Sequence, residues 1–250
     1  MIPAVTSHKV LCFDCYGTII NWEQGILDGL QPLLAASGSQ FTQKEALEAF
    51  GSVELELQSK HPDLAYTPLL AESYAAFGQR LGLPASLTGS DPAAVAFGQS
   101  VGDWSPFPDS AAALGELSKD FKLVVLSNVD APNIARTRQL LEGPGQFQFD
   151  LILTAQEIGS YKPALANFEV MLAAVADKFG VTDKSEVLVV AQSRVHDHVP
   201  ANALGLESAW IDRQGAIMGH ESSAKFTYRF NTLSELANAV KQEKTGNPEP

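Results

Sequence analysis

An aspartate stands directly after the first buried strand that this sequence predicts. Residues 10–13 are apolar and favour extended backbone, the pattern of a strand buried on both faces, and Asp14 follows them at once. In an open parallel sheet, ligands bind at the carboxyl ends of the central strands. An ionised aspartate there is an oxygen nucleophile that can form a covalent ester and divide one hard displacement into two easier steps. A carboxylate that merely caps a turn is the simpler alternative for this residue taken alone.

Two further charged residues supply what such a nucleophile needs. Lys162 precedes Pro163 at the start of a predicted helix, and the N-terminus of a helix repels a cation that has no anionic partner. We therefore predict that Lys162 pairs with Asp14 and offsets the cost of keeping a carboxylate charged in a partly dry cleft. Asp197 follows the buried strand predicted at 187–191. We assign Asp14 and Lys162 to catalysis.

Short hydrogen-bonding side chains at the strand ends predict an anion-binding site beside these charges. Thr18, Ser127 and Asn128 follow the first and second predicted strands. Their hydroxyl and amide groups can hold a carboxylate, a departing halide or a phosphoryl oxygen, and backbone N–H groups of the same turns add donors. A role as turn and N-cap residues is compatible with this one. We assign all three to substrate binding.

A parallel sheet is needed to bring these residues together, and the chain pattern predicts one. Beyond residue 108, strand patterns at 122–127, 150–153, 187–191 and 208–211 alternate with helical patterns. Such alternation predicts an α/β fold with a doubly wound parallel sheet and right-handed crossovers. Residues 20–104 show helical patterns alone, which predicts an inserted all-helical cap.

The domain organisation follows from this change of pattern. We predict that residues 1–19 and 105–240 form the α/β core and that residues 20–104 form the cap. Residues 241–250 lack apolar side chains apart from proline, so we predict a flexible tail there.

Charge and composition restrict the possible partners. The net charge of -12 argues against nucleic acid and anionic membranes, because both require a basic surface. The sequence shows no apolar run long enough to cross a bilayer and no pattern of a secretory leader at its start. We therefore expect a cytoplasmic protein whose partner is a small molecule, with no nucleic-acid or membrane partner.

Cys12 and Cys15 form a Cys-x-x-Cys pair. This spacing occurs in redox pairs and, together with His196 and His198, in zinc sites. Redox pairs of this type open a helix, whereas Cys12 lies inside a strand pattern. We therefore predict reduced, structural thiols.

Four segments of the chain, taken in order, resemble the motifs of the haloacid dehalogenase superfamily. They lie at residues 10–18, 123–128, 161–163 and 187–197. The resemblance covers nearly the whole chain and is strongest to the 2-haloacid dehalogenase branch, because Tyr16 stands where the superfamily's phosphatases usually have a second aspartate. It implies a hydrolase that acts on a small α-substituted carboxylic acid through an aspartyl ester on Asp14, with Asp197 of the fourth motif as a third catalytic residue. Dimers occur among these relatives, so a homodimer is an open possibility.

Two positions distinguish a dehalogenase from a phosphatase within this resemblance. Phosphoryl transfer to a carboxylate needs charge neutralisation, usually by Mg²⁺, and an acid that protonates the leaving alkoxide. Tyr16 replaces that acid, and Gln192 stands where phosphatases carry a carboxylate. A halide leaves as a stable anion, so we predict chemistry without a metal or other cofactor. A Mg²⁺-dependent phosphatase that uses Asp14 and Asp197, or a catalytically weak binding protein of this fold, stays an alternative.

The chain departs from the dehalogenase pattern where the substrate would bind. That branch holds the substrate's carboxylate with an arginine early in the cap, whereas this cap contains only Arg80, near the end of a helix. We predict that Tyr16 and Gln192 line the substrate site, and that Arg194 binds the carboxylate from the core side with its planar guanidinium. A salt bridge with Asp197, or an exposed side chain, is the alternative for Arg194.

Overall fold

Six parallel strands form a single sheet in the computed structural model, which describes residues 3–143, 147–219 and 222–246. The strands are β1 Val10–Phe13, β2 Lys122–Ser127, β3 Leu151–Thr154, β4 Val187–Ala191, β5 Glu207–Ile211 and β6 Tyr228–Phe230. Their order in the sheet is β3-β2-β1-β4-β5-β6, and every neighbouring pair is parallel. This confirms the predicted fold class. The pattern analysis did not find β6, because it is short and only partly buried.

Helices connect and cover these strands. They are α1 Trp22–Ser37, α2 Gln43–Lys60, α3 Tyr66–Arg80, α4 Pro92–Gln99, α5 Ser110–Leu117, α6 Ala131–Leu141, α7 Ala155–Ile158, α8 Leu165–Phe179, α9 Val199–Leu204 and α10 Leu233–Thr245. In the described part of the chain, every helix is too short or too polar to span a lipid bilayer.

Strand β1 lies in the middle of the sheet and is buried along its whole length. Leu11 and Phe13 belong to one apolar cluster, and Val10 and Cys12 belong to another. Because side chains alternate along a strand, these clusters cover the opposite faces of the sheet. Burial on both faces explains the continuous apolar run that precedes Asp14.

Helices α1–α4 are all inserted between β1 and β2, as the helical pattern predicts. Two backbone hydrogen bonds join the start and end of this insertion, from Asn21 N to Ser105 O and from Phe107 N to Ile19 O, both at 2.9 Å. These bonds form a narrow neck close to the predicted limits of residues 20 and 104. The division into a core and a cap at this neck stays a prediction.

The inserted helices pack around aromatic rings. Phe50 of α2 contacts Phe77 of α3 and Phe97 of α4 edge to face, with ring centroids 5.8 and 5.6 Å apart. A Cβ atom at Gly29 of α1 would lie 2.4 Å from the Phe97 ring, so only glycine permits this close approach. Apolar burial of this kind holds the four helices together.

The predicted flexible tail is partly wrong, because α10 extends through residues 241–245. Leu233, Leu236 and Val240 anchor the helix to the core, and the polar residues that follow favour helix without needing burial. Glu243 accepts hydrogen bonds from Val5 N at 2.9 Å and Thr6 N at 2.8 Å, which fixes this last turn. Residues 247–250 lie outside the described residues.

Candidate active site

Lys162 lies between two aspartates at the carboxyl edge of the sheet. Its Nζ donates to Asp14 Oδ1 at 2.8 Å, to Asp197 Oδ1 at 2.7 Å and to Leu126 O at 2.9 Å. These three bonds use all three N–H groups of the ammonium. Asp14 is 8%, Lys162 3% and Asp197 2% exposed, so the charges meet almost out of water. The three residues that the sequence assigns to catalysis are thus in direct contact.

Burial and mutual charge determine the protonation of this trio. Burial, and then the charge of Asp14, raise the pKa of Asp197 to about 7 against the opposing effect of Lys162. Burial alone would lower the pKa of Lys162, but the two carboxylates outweigh it and raise that pKa above its usual value. At neutral pH Lys162 is therefore an ammonium, while Asp197 lies near its titration midpoint.

The turn after β1 holds the second oxygen of Asp14. Thr18 Oγ1 donates to Asp14 Oδ2 at 2.7 Å and accepts from Gln192 N at 2.9 Å. Gly17, which precedes Thr18 in this turn, has a φ of +101°, a conformation that residues with a side chain rarely adopt. Thr18 therefore orients Asp14. It lies in the site, as predicted, but these contacts give it a positioning role instead of the predicted role in substrate binding.

Asn128 holds the backbone of Lys162. Its Nδ2 donates to Lys162 O at 3.0 Å, and its Oδ1 accepts from Lys162 N at 2.7 Å. Both ends of the amide are therefore used to position the lysine. Ser127 lies beside it, and among the described residues no group forms a hydrogen bond with its hydroxyl, which leaves Ser127 Oγ for a substrate.

A π-helical turn over Arg194–His198 brings Asp197 into the site. Ser193 caps this turn, because its Oγ accepts from His196 N at 3.1 Å. The wider turn places one more residue in each repeat than an α-helix does, and such turns often occur at functional sites. Asp197 Oδ1 contacts Lys162, whereas Asp197 Oδ2 is buried with no hydrogen-bond partner among the described residues.

A cavity of about 560 Å³ opens above these residues. We call the group at its base the floor, which comprises Asp14, Ser127, Asn128, Lys162 and Asp197. The opposite side, the cap wall, comprises Trp22, Glu48, Gly51, Ser52, Glu54, Leu55, Gln58 and Tyr66. Tyr16, the segment around Gln192 and His196, and the loop at 217–219 complete the lining. The loop is tied to α1, because Glu23 Oε1 accepts from Met218 N at 2.8 Å.

Tyr16 and Gln192 line this cavity, as predicted, but their polar atoms are already engaged. The Tyr16 hydroxyl forms a 2.8 Å hydrogen bond with Thr137 Oγ1. Burial raises its pKa well above the usual value, so the phenol stays neutral. Gln192 Nε2 donates to Met218 O at 2.8 Å. Both side chains shape the cavity, and their predicted substrate contacts stay predictions.

Arg194 lies outside the cavity lining. Its Nη2 donates to Ala224 O at 2.7 Å, and its guanidinium carbon lies 5.2 and 5.7 Å from the ring centroids of Trp210 and Phe226. This placement contradicts the prediction that Arg194 binds a substrate's carboxylate. The guanidinium packs against two aromatic rings, where cation–π attraction stabilises it. The two alternatives for Arg194, a salt bridge with Asp197 and an exposed side chain, are not observed either.

The two histidines of this segment have different surroundings. His196 lines the cavity, with Nδ1 3.1 Å from Ser193 Oγ, and burial together with the charge of Lys162 lowers its pKa. His198 is fully buried, and its Nε2 donates to Ala191 O at 3.0 Å while Nδ1 lies 2.8 Å from Ser208 Oγ. Because a carbonyl only accepts, Nε2 carries the proton and Nδ1 accepts from the hydroxyl. Burial lowers the pKa of His198 to about 4. His198 is therefore a neutral structural residue.

The two cysteines are free and buried. Burial raises the pKa of Cys12 to about 12 and that of Cys15 well above its usual value. Both are inert thiols in apolar surroundings, as predicted.

A family model for haloacid dehalogenase-like hydrolases matches residues 8–197. The chain belongs to this hydrolase family. The matched region runs from the start of β1 to Asp197 and thus contains the whole floor of the cavity.

Solved structures of the haloacid dehalogenase-like family share the fold. The L-2-haloacid dehalogenase PA0810 is 20% identical, with a TM-score of 0.72 over 94% of this chain and 99% of that one. The L-2-haloacid dehalogenase from Xanthobacter autotrophicus with covalently bound chloropropionic acid is 19% identical, with a TM-score of 0.72 over 94% and 98%. The HAD-hydrolase YfnB from Bacillus subtilis, bound to magnesium, is 16% identical, with a TM-score of 0.68 over 94% and 99%. No curated protein matches the chain.

The magnesium of YfnB raises the question of whether this site fits the same ion. Lys162 Nζ lies 2.8 Å from Asp14 Oδ1 and 2.7 Å from Asp197 Oδ1, so its ammonium fills the space in which a cation would join the two carboxylates. In the described ranges, no cluster of three or more acidic, histidine or cysteine side chains has the arrangement of a metal site. Because Lys162 already bridges the two carboxylates, we assign no step to a metal.

Glu54, the inner carboxylate of the cap wall, is a candidate site residue that was not predicted from the sequence. Burial raises its pKa to about 7, while hydrogen bonding to Tyr66 acts in the opposite direction. A signal was present, because Leu47, Phe50 and Glu54 follow the spacing of one helix face and the first two are fully buried. An acid on such an apolar stripe of a haloacid dehalogenase-like cap indicates that the helix faces a polar cavity there.

Proposed function

We propose that this haloacid dehalogenase-like hydrolase displaces a leaving group, such as a halide, from carbon through a covalent ester on Asp14. The surroundings of Asp14 carry the proposal. One oxygen accepts from Lys162 at 2.8 Å and the other from Thr18 at 2.7 Å, and the carboxylate lies at the base of the cavity. A carboxylate held by fixed charges and dipoles in little water is prepared for attack.

The first step forms the bond between an Asp14 oxygen and the substrate carbon. The bond from that carbon to the halide breaks, and the halide leaves with the electron pair. Lys162 keeps Asp14 ionised before attack, because its ammonium offsets the cost of removing the carboxylate from water. Ser127 Oγ, which has no partner among the described residues, can donate to the departing anion.

The second step cleaves the ester with water. A water molecule attacks the ester carbonyl of Asp14, Asp197 Oδ2 accepts its proton, and Lys162 stabilises the oxyanion that forms. The Asp14–carbon ester then breaks, and the alcohol leaves with the proton that Asp197 returns. Asp197 suits this role because Lys162 holds its Oδ1, its Oδ2 has no partner among the described residues, and its pKa is about 7.

An α-substituted carbonyl compound is the substrate class that we propose. The resemblance of the sequence implies a carboxylic acid, and the Xanthobacter autotrophicus neighbour holds chloropropionic acid covalently bound. Among the described residues that line the cavity, Lys162 is the single lysine or arginine, and all of its N–H groups are used. An acid substrate, a homodimeric state and a cytoplasmic location stay predictions.

Isotope transfer tests the covalent step directly. A single turnover in ¹⁸O-water of 2-chloropropionate or 2-chloroacetamide should place the label in Asp14, and mass spectrometry of the peptide that contains Asp14 should detect it. Label that enters the alcohol product first would refute the aspartyl ester.

Parallel assays separate the two reaction types. Chloride release should continue after exhaustive EDTA treatment, whereas phosphate release from a generic aryl phosphate with Mg²⁺ should stay at background. Phosphate release that requires Mg²⁺, with no chloride release from either substrate, would establish the phosphatase alternative.

A further inference from the structure

The cap wall presents acidic oxygens to the cavity instead of a cation. Glu54 and Tyr66 lie on its inner part, and Glu48 lies on the exposed rim. Together with Asp14 and Asp197, Glu48 and Glu54 bring the carboxyl groups of the lining to four among the described residues, against one lysine. An anionic group on a substrate would therefore meet an unfavourable field on the cap side.

The basic residues of the inserted helices lie outside the cavity lining, although two of them contact exposed residues of the cap wall. Arg80 Nη1 donates to Ser52 Oγ at 2.7 Å from an exposed position, Lys60 pairs with Glu56 at 2.6 Å, and Lys44 lies 3.7 Å from Glu48 on the surface. Residues 20–104 contain no other lysine or arginine. None of the three lines the cavity.

A second observation at the floor points the same way. Asp197 is 2% exposed, and its Oδ2 has no partner among the described residues. A buried carboxylate oxygen without a donor is unfavourable, and a ligand or water that donates a hydrogen bond relieves it. The lining therefore holds a carboxylate oxygen without a donor at the floor and a half-buried carboxyl group at the cap wall.

We propose that this cavity takes a cationic substrate, a small α-substituted carbonyl compound whose far end carries a protonated amine bound by Glu54. The inference rests on the proposed function for the reacting end of the substrate, but it concerns the opposite end. An ammonium bonded to Glu54 forms a charge-assisted hydrogen bond with a half-buried carboxylate of the cavity wall. The phenol of Tyr66 supports the carboxylate from the adjacent helix.

The protonation behaviour of Glu54 agrees with this assignment. Burial favours its neutral form and raises its pKa to about 7. A bound ammonium would restore the charged form, because an opposite charge stabilises a carboxylate. Glu54 thus has an unmet need for a cation, which an amine substrate supplies.

Three compounds of similar size test the inference. They are N-(2-aminoethyl)-2-chloroacetamide, which is a cation, N-propyl-2-chloroacetamide, which is neutral, and N-chloroacetyl-β-alanine, which is an anion. Binding is measured by calorimetry on the full chain carrying Asp14→Asn, so that no turnover interferes. We expect the cation to bind at least about tenfold more tightly than the neutral compound, the gain of an ordinary charge-assisted hydrogen bond, and the anion to bind most weakly.

Two further variants assign the preference to a residue. Glu54→Gln, added to the Asp14→Asn chain, should remove the preference for the cation. Glu56→Gln is the matched control, because Glu56 lies on the same helix but is exposed and pairs with Lys60; it should leave the preference unchanged. Melting curves of both variants report folding. If Glu54→Gln does not fold, the comparison of the three compounds on the Asp14→Asn chain still decides.

The outcomes separate the two proposals. Equal binding of the three compounds, or tighter binding of the anion, would overturn the cationic substrate, and so would a preference for the cation that a folded Glu54→Gln variant keeps. Chloride release from the active chain is measured independently. Preferential binding of the cation without chloride release from any compound would sustain this inference while contradicting the proposed reaction.

Discussion

The floor and the cap wall of the cavity differ in how far their charged groups are already paired within the protein. On the floor, Lys162 bonds three acceptors and Asn128 fixes the backbone of Lys162 at both of its polar atoms. On the cap wall, Glu54 has a phenol as its neighbour and no cation among the described residues. The floor is thus organised before any substrate arrives, whereas the cap wall leaves a charge requirement open. In our proposal, the strand ends determine the reaction type and the inserted helices determine the choice of substrate.

The floor should be intolerant of change, and Asp14→Asn should have the largest effect. This variant keeps the shape of the side chain but removes the nucleophilic charge, and no other carboxylate of the floor lies on the same line of attack. We expect at least about a thousandfold loss in kcat. Single-turnover chloride release measures it. A variant that retains a tenth of the activity would show that the floor does not depend on covalent catalysis.

Lys162→Met should have the next largest effect, this time on stability. It leaves two buried carboxylates without the cation that bridges them, which should cost about 3–5 kcal/mol in the free energy of unfolding. The loss should shrink as the pH falls from 7 towards 5, because protonation of a carboxylate removes the repulsion. Urea unfolding at several pH values measures this. A loss that does not vary with pH would indicate that packing, not charge, holds the floor together.

His198, which is fully buried, should make the stability of the protein depend on pH. Its pKa is about 4 in the folded chain and near 6.5 when unfolded. The unfolded state therefore binds a proton first, and stability that is complete above pH 6.5 should be lost as the pH falls towards 4. The loss should reach about 3 kcal/mol, at 1.36 kcal/mol per pKa unit. His198→Asn should flatten this part of the pH profile in chemical denaturation, and an unchanged profile would show that other groups cause it.

Arg194→Lys should have the smallest effect. Because the guanidinium packs on Trp210 and Phe226 outside the cavity, we expect a loss of about 1 kcal/mol in stability from weaker stacking. KM should change equally little for 2-chloropropionate and for its amide. A rise in KM for the acid alone would restore the carboxylate-binding role that the sequence suggested, and would reassign Arg194 to the floor.

The floor is well predicted because short sequence patterns at the ends of strands and helices indicate where its residues lie. A buried strand that ends in Asp14, and a lysine that opens a helix, restrict where the two charges can lie, and a parallel sheet brings such ends together. The pairing of Asp14 with Lys162 followed from these rules. The resemblance to family motifs then supplied Asp197, whose position depends on a π-helical turn that no residue pattern announces.

The cap wall and Arg194 show where this reasoning ends. Which side of α2 faces the cavity depends on how α2 packs against α3, so the apolar stripe through Phe50 did not by itself reveal Glu54. Arg194 follows a strand end, as cleft residues do, but the π-helical turn directs its side chain towards Trp210. Both depend on contacts between segments far apart in the chain, which periodicity does not contain.

In the proposed reaction, the charge state of Asp14 also controls when Asp197 is ionised. While Asp14 is free, its negative charge helps to keep the pKa of Asp197 near 7. Once Asp14 is esterified that charge disappears, and Lys162 has Asp197 as its one remaining counterion on the floor. The pKa of Asp197 must then fall, so the carboxylate is fully ionised only while the ester is waiting for water. In this scheme Asp197 can act as a base once the Asp14 ester has formed. In the free enzyme, Asp197 does not add a permanent charge to those of Asp14 and Lys162.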